Sequence, residues 1–191
     1  MKNKFSNLCK ESHGAHIFYY VTEEETYLNN IVSYIGSGIE QGDHILLIES
    51  ERLLTLLTQK LTAVLTPEEL THLHTINNFD YYFSSGSFHP PAIFEYLSKT
   101  LKPFVENDIS YRIWAHVEWS EKEAILNLLE EFEKEADRLV NDQELCLVCA
   151  YDAVRVPDSL KTALLKCHKY FLTEDEIIPS KLYENNLVNN K

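Results

Sequence analysis

Short apolar runs in this chain alternate with longer segments whose apolar residues recur every three or four positions. That change of period, from strand-like to helix-like and back, constrains the fold more than any other feature. It predicts an α/β fold with a mostly parallel central sheet and helices on both faces. His44–Ser50 (HILLIES) is the plainest strand, apolar on both faces as a central parallel strand requires. His16–Val21, Tyr111–Trp119 and Glu144–Asp152 read the same way. Helices are expected over about Glu23–Glu40, Glu51–Leu65, Pro90 to Asn107 with a bend at Pro103, Glu121–Asn141, and Pro157 to His168. The first buries Tyr27, Leu28, Ile31, Ile35 and Ile39, and the fourth Ile125, Leu128, Leu129, Phe132, Ala136 and Leu139. Glu133 falls on the flank of that last stripe, placed to reach inward.

Local signals set the boundaries. Thr22 and Glu25 form a T-x-x-E capping box, and Gly42 closes the helix that follows. Thr66, Pro67 and Glu69 open a short helix in the same way, and Ser120 caps the long one. Thr75–Phe83 reads as a strand interrupted at Asn77-Asn78. Tyr170–Thr173 and Ile177–Tyr183 are expected to form a C-terminal β-hairpin around Glu174-Asp175. No repeat or linker divides the chain, so residues 14–184 are expected to be one domain, with a flexible lead (1–13) and tail (185–191).

Composition acts mainly by exclusion. Seventeen Lys+Arg against thirty Asp+Glu give a net charge of −13, which argues against nucleic acid and anionic membranes as direct partners. With 191 residues, 45% of them hydrophobic, the chain can build a core without a metal or a disulfide. No run approaches the roughly 18 apolar residues of a membrane span, and no apolar stretch follows the early lysines. Cys9, Cys146, Cys149 and Cys167 read as reduced core thiols, implying a cytoplasmic protein. Cys146 and Cys149 are an odd number of residues apart in a strand, so they face opposite ways. His72-Leu-His74 and Cys167-His168 lack a second pair at zinc-finger spacing, so neither metal nor cofactor is expected.

In open α/β sheets, ligands bind beyond the carboxyl ends of the strands. Those ends here are Glu49, Glu118-Trp119 and Tyr151-Asp152, acids that either cap the next helices or line a rim. Within YRIWAHVEW, Arg112, Trp114, His116 and Glu118 share one face. Buried together they make a pocket floor or a self-contained ion network; on an edge strand they would simply be wet. The first βα turn reads YYVTEEET rather than a P-loop, and its glutamates at a helix N-terminus repel phosphate. Gly36-Ser37-Gly38 lies too late in its helix for a dinucleotide fingerprint, and no nucleophile elbow occurs.

Taken in order, His16 with IFYY, GIEQGD (38–43), GSFHP (86–90), RIWAHVEW (112–119), FEKEADRL (132–139), CAYD (149–152) and HKYFL (168–172) resemble the MEDS family. These are DcmR-type sensory domains of methanogens and methylotrophs, and the likeness covers about residues 13–175. The resemblance implies a RecA/KaiC-like core without its P-loop and a pocket for small, hydrocarbon-derived molecules. Many members carry Gly-Glu where this chain has Ala115-His116, and Glu where it has Asp43.

The reading that follows is a non-catalytic sensory domain. It binds a small molecule at the carboxyl rim through Arg112, His116, Glu118, Trp119, Tyr151 and Asp152, with Glu49 and Trp114 beside them and His16, Tyr20 and His168 as rim partners. Its output passes to a regulatory protein such as a kinase or transcription factor, and a homodimer is open to it. The alternatives are a small-molecule enzyme using Glu118 or His116 as acid/base and a ligand-free interaction module.

Overall fold

The computed structural model describes residues 1–120 and 125–184. Helix α1 (Lys2–Glu11) precedes β1 (Ala15–Val21), α2 (Glu24–Ile39), β2 (His44–Glu49) and α3 (Glu51–Thr62). A single 3-10 turn leads into β3 (Leu73–Asn77), α4 (Asn78–Tyr82), α5 (Pro90–Glu106) and β4 (Tyr111–His116). Then come α6 (Ile125–Asp142), β5 (Cys146–Asp152), α7 (Asp158–Cys167), β6 (Tyr170–Leu172) and β7 (Ile177–Pro179). The expected start of α6 at Glu121 and the tail from 185 lie outside the described residues.

The strands form one seven-stranded sheet in the order β3-β2-β4-β5-β1-β6-β7. All pairings are parallel except the terminal one, where Tyr170 of β6 faces Pro179 of β7, the expected hairpin. β1 runs in register with β5 from Ala15 opposite Cys146 to Val21 opposite Asp152. Helices cover both faces, as continuous apolar strands demand. Ile17, Tyr19, Leu47, Trp114 and Val148 pack beneath α1, α2 and α3. Phe18, Leu46, Ile113, Cys149 and Tyr151 pack beneath α4 to α7.

Four boundaries differ from expectation. Residues 2–11 are a helix instead of a flexible lead. Phe5 is fully buried, edge-on to Tyr34 at 5.1 Å, and Phe5, Leu8 and Cys9 form the i, i+3, i+4 signal of that face. Glu23, not Thr22, caps α2, because a carboxylate accepts from the Glu25 and Thr26 amides more strongly than a hydroxyl. The 75–83 run splits: Asn77 accepts from the Phe79 and Asp80 amides and turns its second half into α4. β4 stops at His116, three residues short of Trp119. The Thr66–Glu69 capping box is present with both reciprocal bonds, at 2.7 and 3.2 Å.

Cys146 and Cys149 do face opposite sides of the sheet. Cys9 and Cys146 are joined as a disulfide, so only Cys149 and Cys167 are free thiols. The expectation of four reduced cysteines missed this because the partners are 137 residues apart and meet only once α1 docks. Among the described residues, no helix is long and apolar enough to cross a membrane.

Candidate functional site

β1, β2, β4 and β5 end side by side at Val21, Glu49, His116 and Asp152. Glu49 is fully buried and accepts from Tyr27 Oη at 2.5 Å, the Ser50 amide at 2.6 Å and His116 Nδ1 at 2.7 Å. It therefore bonds the backbone at the start of α3 and holds the histidine as well. Burial alone would lower the His116 pKa, but Glu49 and Asp152 overcome it and raise it to about 10. At neutral pH this ring is an imidazolium. Its other nitrogen, Nε2, lies 3.7 Å from Asp152 Oδ1, beyond hydrogen-bond reach.

A cleft of about 340 Å³ opens above this pair, with Tyr27, Ser50, Arg52, Asn78 and Glu118 on its walls. Glu118 accepts from the Trp119 amide at 3.0 Å and from Arg155 at 2.8 Å. The Arg155 guanidinium lies 4.1 Å above the Trp119 ring and also donates to the Trp119 carbonyl. Sequence reasoning missed Tyr27, Asn78 and Arg155. Asn78 donates to the His116 carbonyl at 3.2 Å, and Tyr27 looked like one more apolar position of α2. The position of Arg155, three residues past the strand-ending Asp152, was the available signal.

Several expected rim residues lie elsewhere. Arg112 is at the opposite end of β4, bonded to Asp43, Ser37 and Gln41. It is the second residue of the strand that His116 ends, so the shared face is real but the shared site is not. Gly38 makes room there; a Cβ would meet Arg112 Cδ and Nε at 3.0 Å. Asp43, the departure from the family pattern, is thus a partner for Arg112. Trp114 is not on the walls of this cleft: it is fully buried under Tyr27 and Tyr34, and Nε1 donates to Tyr27 Oη at 3.1 Å. Trp119 is 4% exposed and stands behind Arg155. Tyr20 flanks the rim, its hydroxyl 3.3 Å from the Ala153 carbonyl and its ring under Lys161.

His16, His168 and Tyr151 belong to a second group, under the other face of the sheet. The two imidazoles stack with centroids 3.8 Å apart. Both present Nε2 to Glu133 Oε2, at 3.4 Å from His16 and 3.5 Å from His168. Tyr151 donates to the other Glu133 oxygen, and Cys149 Sγ lies 3.5 Å from His16 Nε2. Burial would lower His16, but Asp137 and Glu133 raise it to about 9. Burial and the charge of His16 push His168 down to about 3. Glu133 reaches inward, as its place beside the apolar stripe of α6 suggested.

The N-terminus of α2, where a P-loop fold would hold phosphate, is filled by the chain's own acids. Glu23 takes two amides, Glu24 pairs with Arg52 and Glu25 with Lys60.

No curated protein matches the chain. A family model does, over residues 15–169: MEDS, the MEthanogen/methylotroph, DcmR Sensory domain. The match runs from the start of β1 past His168 and so includes both histidine groups. A match to a sensory family suggests a sensory or regulatory role for the domain. With four-fifths of its length inside the match, the chain belongs to the MEDS family of sensory domains.

Proposed function

We propose that this chain is a non-catalytic cytoplasmic sensory domain that holds a small polar molecule over His116 and Asp152. Its bound state is passed to a regulatory protein such as a kinase or transcription factor. One observation carries the reading: the His116 Nε2–H and the Asp152 carboxylate face the same cleft 3.7 Å apart, without bonding each other. A donor and an acceptor so placed suit one group that both accepts and donates, such as a hydroxyl, a protonated acid or an amide. Glu24, Glu118 and Asp152 at the cleft disfavour polyanions. Movement of Glu118 would reach the surface through Arg155 and the turn carrying Val154, which is 97% exposed.

The test is a thermal-shift panel of short-chain alcohols, aldehydes, ketones, carboxylic acids and amides. A ligand at 100 times its Kd adds about 2.7 kcal/mol of stability. The expected result is a saturable rise in Tm, absent in His116→Gln and Asp152→Asn, with the compound recovered unchanged. No saturable rise across the panel would overturn the reading. Consumption of a compound that depends on His116 would replace it with the acid–base enzyme. In the cytoplasm the Cys9–Cys146 link faces a reducing pool; its persistence in protein taken directly from that compartment is checked by mass under non-reducing conditions.

A further inference from the structure

We propose that His16, Glu133, Cys149 and His168 form a closed four-ligand site for a zinc ion. The four come from β1, α6, β5 and the residue after α7, and none is more than 2% exposed. One donor atom from each lies within 4.8 Å of every other; the atoms in close contact are His16 Nε2, Glu133 Oε2, Cys149 Sγ and His168 Nε2. Three separations are 3.4, 3.5 and 3.5 Å. Donors about 2.0–2.3 Å from a tetrahedral zinc stand roughly 3.3–3.7 Å apart. Three of the cluster's six separations already have the edge length of that tetrahedron, and the other three lie within 4.8 Å.

The outer contacts fix which atoms are free. His168 Nδ1 bonds the Leu164 carbonyl at 2.8 Å, and His16 Nδ1 bonds the Cys167 carbonyl at 3.1 Å and Asp137 at 3.3 Å. Each ring thereby uses its Nδ1 proton on an oxygen and turns Nε2 inward, the arrangement that orients histidines on metals. Tyr151 likewise engages Glu133 Oε1 and leaves Oε2. Among the described residues, Glu133 Oε2 and His168 Nε2 are buried without a hydrogen-bond partner. Two such acceptors aimed at one point, deep in a core, call for a cation between them; the His16 ring, 3.4 Å away, serves Glu133 alone, and a metal ion would serve both. The carboxylate and a thiolate would neutralise a divalent ion, and the mixed nitrogen, sulfur and oxygen set suits zinc over magnesium or calcium. On binding, the Cys149 S–H and His16 Nε2–H bonds break, a Zn–S and a Zn–N bond form in their place, and both protons leave to solvent. With no open position the site is structural: it clamps the α7–β6 joint to the sheet.

The test uses the full chain, tag removed and without reductant, so that Cys9 and Cys146 stay bonded. Apo protein is titrated with cobalt(II), a spectroscopic stand-in for zinc. One ion per chain is expected, with intense tetrahedral visible bands and a sulfur-to-cobalt band in the near ultraviolet. Cys149→Ser should lose the sulfur band while circular dichroism shows the fold intact, and Cys167→Ser should keep it. Asp137→Asn should weaken zinc binding about 10- to 100-fold in competition with a chromophoric chelator. No stoichiometric uptake by the wild type would overturn the proposal. So would a spectrum without the sulfur band, which points to the surface histidines His44, His72 and His74, or a sulfur band that survives Cys149→Ser.

Discussion

Two groups of histidine and carboxylate lie on opposite faces of one sheet, and they solve the same problem differently. At the rim, one ring stands between two acids: His116 has Glu49 on Nδ1 and Asp152 near Nε2, with water at hand. Under the other face, two rings share Glu133, and His16 also meets Asp137, with both rings closed to solvent. The rim group holds one more acid than cation and keeps spare hydrogen-bonding capacity pointed at a cleft. The buried group keeps spare capacity pointed at itself. Spare polar capacity facing solvent can select a visiting molecule; facing inward, it calls for a resident.

That contrast can be broken experimentally, beginning where the effect is largest. Glu133→Leu takes the shared carboxylate from both imidazoles and from Tyr151, leaving the buried His16 with Asp137 alone. It should cost about 3–5 kcal/mol in urea denaturation. His116→Gln at the rim should cost less, about 1–3 kcal/mol, because Glu49 keeps Tyr27 and the Ser50 amide. If the rim variant proves the more damaging, the roles of the two groups are reversed.

A pH series sharpens the same point. The folded His116 pKa of about 10 exceeds its ordinary 6.5, through Glu49 on β2 and Asp152 on β5, with the uncharged Tyr27 of α2 alongside. Its stabilising contribution is therefore complete below pH 6.5 and is lost as pH rises through about 10. The stability difference between wild type and His116→Gln should shrink across that window. A difference that stays flat or grows would show that His116 is not held as an imidazolium. Smallest of all, Arg155→Ala should cost only about 0.5–1 kcal/mol, the worth of a half-exposed cation–π contact, while changing ligand response at the rim. A larger loss in denaturation would make Arg155 a structural post.

How much of this was legible follows from what each period can carry. Period two put Arg112, Trp114 and His116 on one face of β4, and the structure agrees. Period two does not say which end of the strand a residue occupies relative to a site, so Arg112 was placed at the rim although it lies near the first end of β4. The helical stripe of α6 gave the inward reach of Glu133. It could not give what Glu133 meets, because His16, Cys149 and His168 converge only through the strand order. Cys9 and Cys146 escaped for the same reason. Local chemistry, such as the carboxylate of Glu23 or the side chain of Asn77 taking over a helix start, was within reach of the sequence and was outweighed by better-known patterns.

The strand order also governs when the molecule can be finished. β1 lies between β5 and β6 and pairs with nothing made before residue 146. β2, β3 and β4 can pair among themselves long before that. At about 5–20 residues per second, HIFYYV leaves the ribosome roughly 6–25 s ahead of its first neighbour. Throughout that interval both edges of an apolar strand stand open, which makes this segment the chain's chief hazard for wrong pairing during synthesis and its natural address for a chaperone.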